Sequence, residues 1–276
     1  MLQLLQSEAI QQPLNQSILL AALVAARLMP IVQLVPYLGG KAVPQSVKMA
    51  LALALAVLVY PTVWLSGAAE ALPTSAGAIA ALVLKEVMVG FMIGFVAALV
   101  FDAVRTAGQL IDNSAGITQA TSLAPQLEER VSLSANFLFQ LTVVIFFVSG
   151  GHRVFLAALV RSFERIPPQS FLHSGDSLTA LAYGSARLGA DAITLAVLLS
   201  FPVIAAVLLA NLFLALVNKS APQINVFFLG MPIKAALGVI VVLLGLDMLL
   251  ERFMLAAADN FVELAKLVEA MGSGAP

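Results

Sequence analysis

Three long stretches of this chain contain no Asp, Glu, Lys or Arg: residues 49–69, 131–151 and 192–218. Each reaches or exceeds the roughly 20 residues that carry a helix across a hydrocarbon core. A barrel strand would alternate polar and apolar residues along such a stretch, and these do not. A water-facing surface takes about a quarter to a third of its residues as charges. With 61% of the residues hydrophobic and 11% charged, this chain cannot supply that, so lipid must cover much of its surface. The fold class that follows is an all-α, polytopic membrane protein.

Charge and composition exclude several function classes. The formal net charge is -1, so bulk electrostatics signal no nucleic-acid partner. The chain has no cysteine, which removes disulfides, thiolate chemistry and cysteine metal sites. Glu8 and no basic residue precede Arg27, unlike the positive start of a cleavable signal, and the first apolar segment is expected to stay.

Along the chain, Ser17 is a candidate cap for a first helix, which Pro30 and Pro36 with Gly39 and Gly40 interrupt. Residues 39–48 read as a lysine-bearing loop, placed in the cytoplasm by the positive-inside tendency, and residues 47–64 as a second helix. The third helix, residues 76–104, carries the adjacent pair Lys85 and Glu86 and the spacing Gly90, Gly94, which suits close helix approach. Neighbours on a helix point about 100° apart. Lys85 and Glu86 are therefore expected to neutralise each other incompletely, with one of them reaching a partner on another subunit; Asp102 and Arg105 are further candidates for such contacts. Residues 132–147 form a fourth helix and 152–165 an amphipathic one ended by Pro167 and Pro168. Residues 177–217 form a long helix kinked at Pro202, and 233–250 a last apolar helix leading into a charged, wet tail.

No catalytic constellation emerges. His152 and His173 lie in different loops without a carboxylate or second histidine at ligand spacing, and Gly-rich phosphate cradles are missing. No cofactor or metal is expected, and the chain does not read as an enzyme. Met29, Met88, Met92 and Met231 could form a flexible gasket, but ordinary core filling is the simpler reading, as it is for Phe101, Phe137, Phe146 and Phe147.

Two polar breaks remain. The first, residues 106–125, holds Gly108, Asp112, Asn113, Gly116, Gln119 and Pro125, and the second, residues 218–234, holds Asn218, Pro222, Gln223, Asn225, Gly230 and Pro232. Irregular backbone at membrane depth survives only inside protein or beside a water-filled cavity. An ordinary loop outside the membrane explains the first break equally well on composition alone.

The second break resolves the ambiguity. Asn218-Lys219-Ser220-Ala221-Pro222-Gln223-Ile224-Asn225-Val226-Phe227, followed by Gly230-Met231-Pro232, resembles the signature of the FliR/SctT family of type III secretion export proteins. Phe101-Asp102-Ala103-Val104-Arg105-Thr106-Ala107-Gly108-Gln109-Leu110-Ile111-Asp112 is similar to the family's stretch ahead of its internal plug, and the order of apolar blocks fits over essentially the whole chain. The resemblance implies an inner-membrane subunit of a helical export gate, with kinked helical hairpins similar to a fusion of its FliP/SctR-like and FliQ/SctS-like partners. It also implies contact with an FlhB/SctU-like subunit, transient contact with unfolded secreted polypeptides, and helices standing partly out of the bilayer on the periplasmic side.

Carried onto this chain, the resemblance makes residues 108–125, with Gly108, Ile111, Asp112, Asn113, Gly116, Gln119 and Pro125, the plug of the conduit. Asn218, Pro222, Gln223, Asn225, Gly230 and Pro232 become a turn in a C-terminal hairpin. The whole chain, 1–276, is then one membrane domain, with N-terminal helices and plug over 1–168 and the hairpin and tail over 169–276. Ile111-Asp112-Asn113-Ser114-Ala115-Gly116 follows the injectisome frame Ile-Asp-x-Gln-Arg-Gly without its Gln-Arg, so the reading leans to injectisome over flagellum. The rivals are a stand-alone secondary transporter for a small solute and a purely structural assembly scaffold.

Overall fold

In the computed structural model, residues 8–40, 43–66, 72–73, 75–117, 132–171, 176–223 and 225–272 are described. Among them the regular structure is helical, without strands: α1 (Glu8–Leu34), α2 (Pro36–Gly39), α3 (Gln45–Leu65), α4 (Ala76–Ala115), α5 (Leu133–Val148), α6 (Gly151–Arg165), α7 (Asp176–Ser220), α8 (Val226–Leu244) and α9 (Leu246–Gly272). The chain is an all-α membrane protein. Five of these helices hold segments long and apolar enough to cross a membrane: Asn15–Leu34, Gln45–Leu65, Ala76–Ala115, Ala182–Ser220 and Val226–Leu244.

Several boundaries move from the sequence expectation. α1 begins at Glu8, so Ser17 lies inside it, and it continues through Pro30. Helices α3, α7 and α8 likewise run through Pro61, Pro202 and Pro232. A proline removes one donor and crowds one carbonyl, which membrane helices tolerate where local adjustment and neighbouring groups satisfy the freed carbonyl. α4 is 40 residues long, about 60 Å at 1.5 Å per residue. That is about twice the hydrocarbon thickness of about 30 Å, so part of this helix must stand outside the lipid.

The chain forms two compact units, each drawing on sequence from both sides of residue 168. One comprises Met1–Ala98, His152–Arg187 and Asn260–Pro276, and the other Leu99–Gly151 and Leu188–Asp259. In the first unit α1 packs against α3. The buried face of α1 runs Leu20, Leu23, Val24, Arg27, Leu28, Ile31, the 3-4 spacing of a helix with one apolar stripe. α3 buries Ala52, Ala56, Val59 and Val63 and turns Leu53, Val57, Leu58 and Leu65 outward, an apolar outer surface suited to lipid. Gly90 and Gly94 form the close-approach face that their spacing suggests. A side chain at Gly90 would overlap the Arg27 carbonyl, and one at Gly94 would come within 3.0 Å of Ile31 Cα.

At that approach lies a buried ion cluster. Arg27 is 0% exposed and donates through Nε (2.5 Å) and Nη2 (2.9 Å) to the two carboxylate oxygens of Glu86, itself 0% exposed. Lys85 Nζ is 2.6 Å from the same carboxylate. The surplus donors go to the last turn of α6 and the segment after it: Arg27 to the carbonyls of Ser162 (2.9 Å) and Ile166 (2.7 Å), Lys85 to those of Pro167 (2.9 Å), Pro168 (3.2 Å) and Ser170 (2.9 Å). Arg27 also stacks on Phe163, 4.1 Å from its centroid. The last carbonyls of a helix lack intrahelical partners, and cations are favoured there. Lys85 and Glu86 thus find partners within the chain, touching each other as well as Arg27 and the carbonyls beyond α6. Nearby, Tyr37 of α2 meets Phe155 edge-on at 5.5 Å, and burial pushes its phenol well above the ordinary tyrosine value.

α9 is amphipathic as expected, burying Phe253, Ala257, Phe261, Leu264 and Val268 and exposing Glu251, Arg252, Asp259, Lys266 and Glu269. The methionines correct the core-filling reading: Met88 is exposed and Met29, Met92 and Met231 are half-buried. Phe101 and Phe146 are core residues, whereas Phe137 and Phe147 are exposed.

Removing one member of a buried ion pair leaves an uncompensated charge, at a cost of about 3–5 kcal/mol. Glu86→Gln is expected to lower unfolding free energy by that amount in a detergent-solubilised denaturation, and Arg27→Met by at least as much, because the contacts with the Ser162 and Ile166 carbonyls are then lost as well.

Candidate functional site

The two polar breaks both fall in the second unit, and the structure treats them differently from the sequence expectation. α4 continues to Ala115, so Thr106 to Asn113 are helical and no loop begins at 106. Gly116, with φ of 76°, closes the helix in the left-handed region, where glycine carries no penalty. Its N–H donates to the Asn113 carbonyl at 3.3 Å. Residues 118–131, and with them Gln119 and Pro125 of the expected plug, lie outside the described residues.

The described flanks of that segment are fastened together. α4 continues its buried stripe through Val104, Ala107, Ile111, Asp112 and Ala115. Asp112, 0% exposed, accepts from the Ser132 hydroxyl at 2.5 Å and the Ser134 N–H at 3.0 Å. Ser132 in turn caps α5 by accepting from the Ala135 N–H at 3.4 Å. A carboxylate at a helix start meets orphan donors and the positive end of the dipole, so Asp112 joins the end of α4 to the start of α5. Its second oxygen, Oδ1, has no hydrogen-bond partner among the described residues.

Gly108 serves closeness rather than turning. A side chain there would overlap the backbone of Ala135, so the missing Cβ is what lets α5 lie against α4. On another side, Gly238 of α8 would bring a Cβ within 3.3 Å of Ala115 and 3.7 Å of Val203, which seats the end of α4 on the hairpin helices. Phe101 fixes the same base from below, edge-on to Phe146 (5.2 Å) and Phe253 (5.4 Å). Arg105 lies over Phe139, 4.1 Å from its centroid, and is 3.9 Å from Asp102 one turn away. Asp102 and Arg105 are half-exposed, so their charges are open to further partners.

The second break is tighter than expected. Asn218 is helical, in the last turn of α7, and the turn itself holds Pro222 and Gln223. Asn225 caps α8, its side-chain oxygen accepting from the Phe228 N–H at 3.4 Å. Gly230 and Pro232 belong to α8 and shape no turn. Gly230 is buried against Leu214, to which a Cβ would approach within 2.9 Å; Pro232 faces outward.

Arg27 and the serines 132 and 134 carry weight that the sequence reading missed. Arg27 interrupts an otherwise apolar stripe at the i, i+4 register of Leu23 and Ile31, a visible signal of a buried charge needing partners. Ser132 stands where a helix cap is favoured, but the Asp112 contact spans 20 residues and has no local signature.

Residues 18–258 match the family described as bacterial export proteins, family 1. The flagellar biosynthetic protein FliR of Caulobacter vibrioides is 31% identical over 227 residues, 82% of this chain and 88% of its own. The secretion system apparatus protein SsaT of Salmonella typhimurium is 36% identical over 180 residues, 65% of this chain and 68% of its own. The Yop proteins translocation protein T of Yersinia pestis is 34% identical over 184 residues, covering 66% and 68%.

If Asp112 fastens α4 to α5, Asp112→Ala strands the Ser134 N–H and costs about 1–3 kcal/mol, and Gly108→Val forces the helices apart at about 1–3 kcal/mol. Both are read as a fall in thermal unfolding temperature of the solubilised chain, and an unchanged temperature in both would remove the junction.

Proposed function

As the chain belongs to the FliR/SctT family of bacterial export proteins, we propose that it is a non-catalytic, multi-pass subunit of the type III secretion export gate in the bacterial inner membrane. Its partners in this reading are FliP/SctR-like and FliQ/SctS-like subunits and an FlhB/SctU-like subunit, with unfolded polypeptide passing transiently. The segment beginning at Gly116 closes the mouth of the conduit at rest.

The observation that supports this is the fastened base. A segment that must block a lumen and yield needs ends that do not move with it, and the Asp112 contacts with Ser132 and Ser134, Gly108 against Ala135 and Gly116 as the helix stop supply such ends. A stand-alone transporter would need charged coordinators left open for its solute. Among the described residues the buried charges Arg27, Lys85 and Glu86 are instead occupied by protein, and Asp112 is committed through one oxygen to Ser132 and Ser134, which favours the gate.

The relatives include flagellar and virulence proteins alike. The injectisome assignment rests on the Ile111-Asp112 frame. It is tested by expressing the chain in strains lacking either type of relative: secretion restored in the virulence strain alone supports it, and motility alone reverses it.

Deleting residues 116–121 separates a gate from a scaffold. In a co-expressed export complex reconstituted into vesicles, the deletion is expected to leak small ions that the intact complex retains. A complex that assembles and stays tight would rule the plug out.

A further inference from the structure

The hairpin of α7 and α8 encloses a cleft of about 230 Å³, lined in part by Asn211, Leu214, Asn218, Phe227, Gly230 and Lys234. Asn211 and Asn218 are two helical turns apart and so share one face of α7, while Gly230 and Lys234, one turn apart, share the opposing face of α8. We propose that this cleft is a binding site for the headgroup phosphate of an anionic phospholipid, with Lys234 as its cation and the Asn211 and Asn218 amides as its neutral donors.

Three observations carry it. First, the cation is uncompensated: residues 192–246 contain no Asp or Glu, and among the described residues Lys234 has neither an ion pair nor a hydrogen bond. A lone ammonium in an apolar hairpin favours an anion strongly. Second, its stem is directed. Lys234 Cε lies 3.8 Å from the place a Gly230 side chain would occupy, so the chain runs back over Gly230 toward the turn, the course of a lysine reaching for an interface. Lys234 is eight residues into α8, about 12 Å of rise from its start, a depth its stem shortens. Third, the surroundings suit a lipid. Leu214 and Phe227 give the cleft apolar walls, and Leu212, Phe213, Leu216, Phe228 and Ile233 turn outward on the same hairpin. The cleft is too small for a helix, about 10 Å across, and its donors, an ammonium and two amides, match the several acceptor oxygens of a phosphodiester. Basic pockets between membrane helices hold anionic headgroups in this way.

The test uses the full chain in nanodiscs of phosphatidylcholine doped with phosphatidylglycerol, with retained lipid counted by native mass spectrometry after detergent extraction. Lys234→Gln is expected to lower retained phosphatidylglycerol about fivefold, while Lys234→Arg and the exposed control Lys266→Gln keep it. Saturating inorganic phosphate is expected to leave the lipid in place; displacement by phosphate alone overturns the lipid assignment. Equal retention by Lys234→Gln overturns it too. If that variant instead fails to co-purify with other export subunits while retaining lipid, the cleft takes a partner's carboxylate and the proposal is wrong. Should Lys234→Gln fail to fold, Asn211→Leu keeps the cation and is expected to weaken retention; unchanged retention in it refutes the site.

Discussion

Five carbonyls in the last turn of α6 and the segment that follows it are held by two cations that share one carboxylate. Arg27, Lys85 and Glu86 bring α1, α4 and the end of α6 to a single buried point, and no member can leave without stranding the others. Ion pairs of this kind contribute less to net stability than an apolar substitute would, because desolvation offsets much of the attraction. What they provide is position. An apolar stripe tolerates sliding by a turn, whereas a bidentate arginine fits one register. Gly90, which lets the two helix backbones touch beside Arg27, makes that register reachable.

The second unit solves a similar problem with weaker means. Its junction relies on one buried carboxylate, a serine cap and two glycines, Gly108 and Gly238, that admit neighbouring helices. The contrast suits the role proposed for the second: a single carboxylate with glycine contacts stands next to the part that must yield.

Much of this was legible in the residues. Charge-free runs gave the membrane class, and the Gly90, Gly94 spacing gave a helix contact that is present. The FliR/SctT signature around Pro222 and Gln223 pointed to the family that residues 18–258 match. The failures share one cause. Polar side chains suggest broken backbone at Asp112 and Asn113, yet both sit in a continuous helix, and the Asp112 carboxylate finds its partners at the start of α5. Gly230 and Pro232 looked like turn residues, yet a glycine facing Leu214 and a proline facing outward both fit within α8. The pairing of Glu86 with Arg27, distant by 59 residues, has no signature in the local pattern around Lys85 and Glu86.

Gly116 ends α4 at a left-handed residue, and Asp112 fixes where α5 starts, so both ends of the intervening 118–131 stretch are set by groups outside it. The Asp112 contact spans 20 residues of sequence, so where α5 starts is decided by a meeting of two helices and not by local pattern. Position along the chain and position in the fold are uncoupled there, and a single carboxylate does the uncoupling.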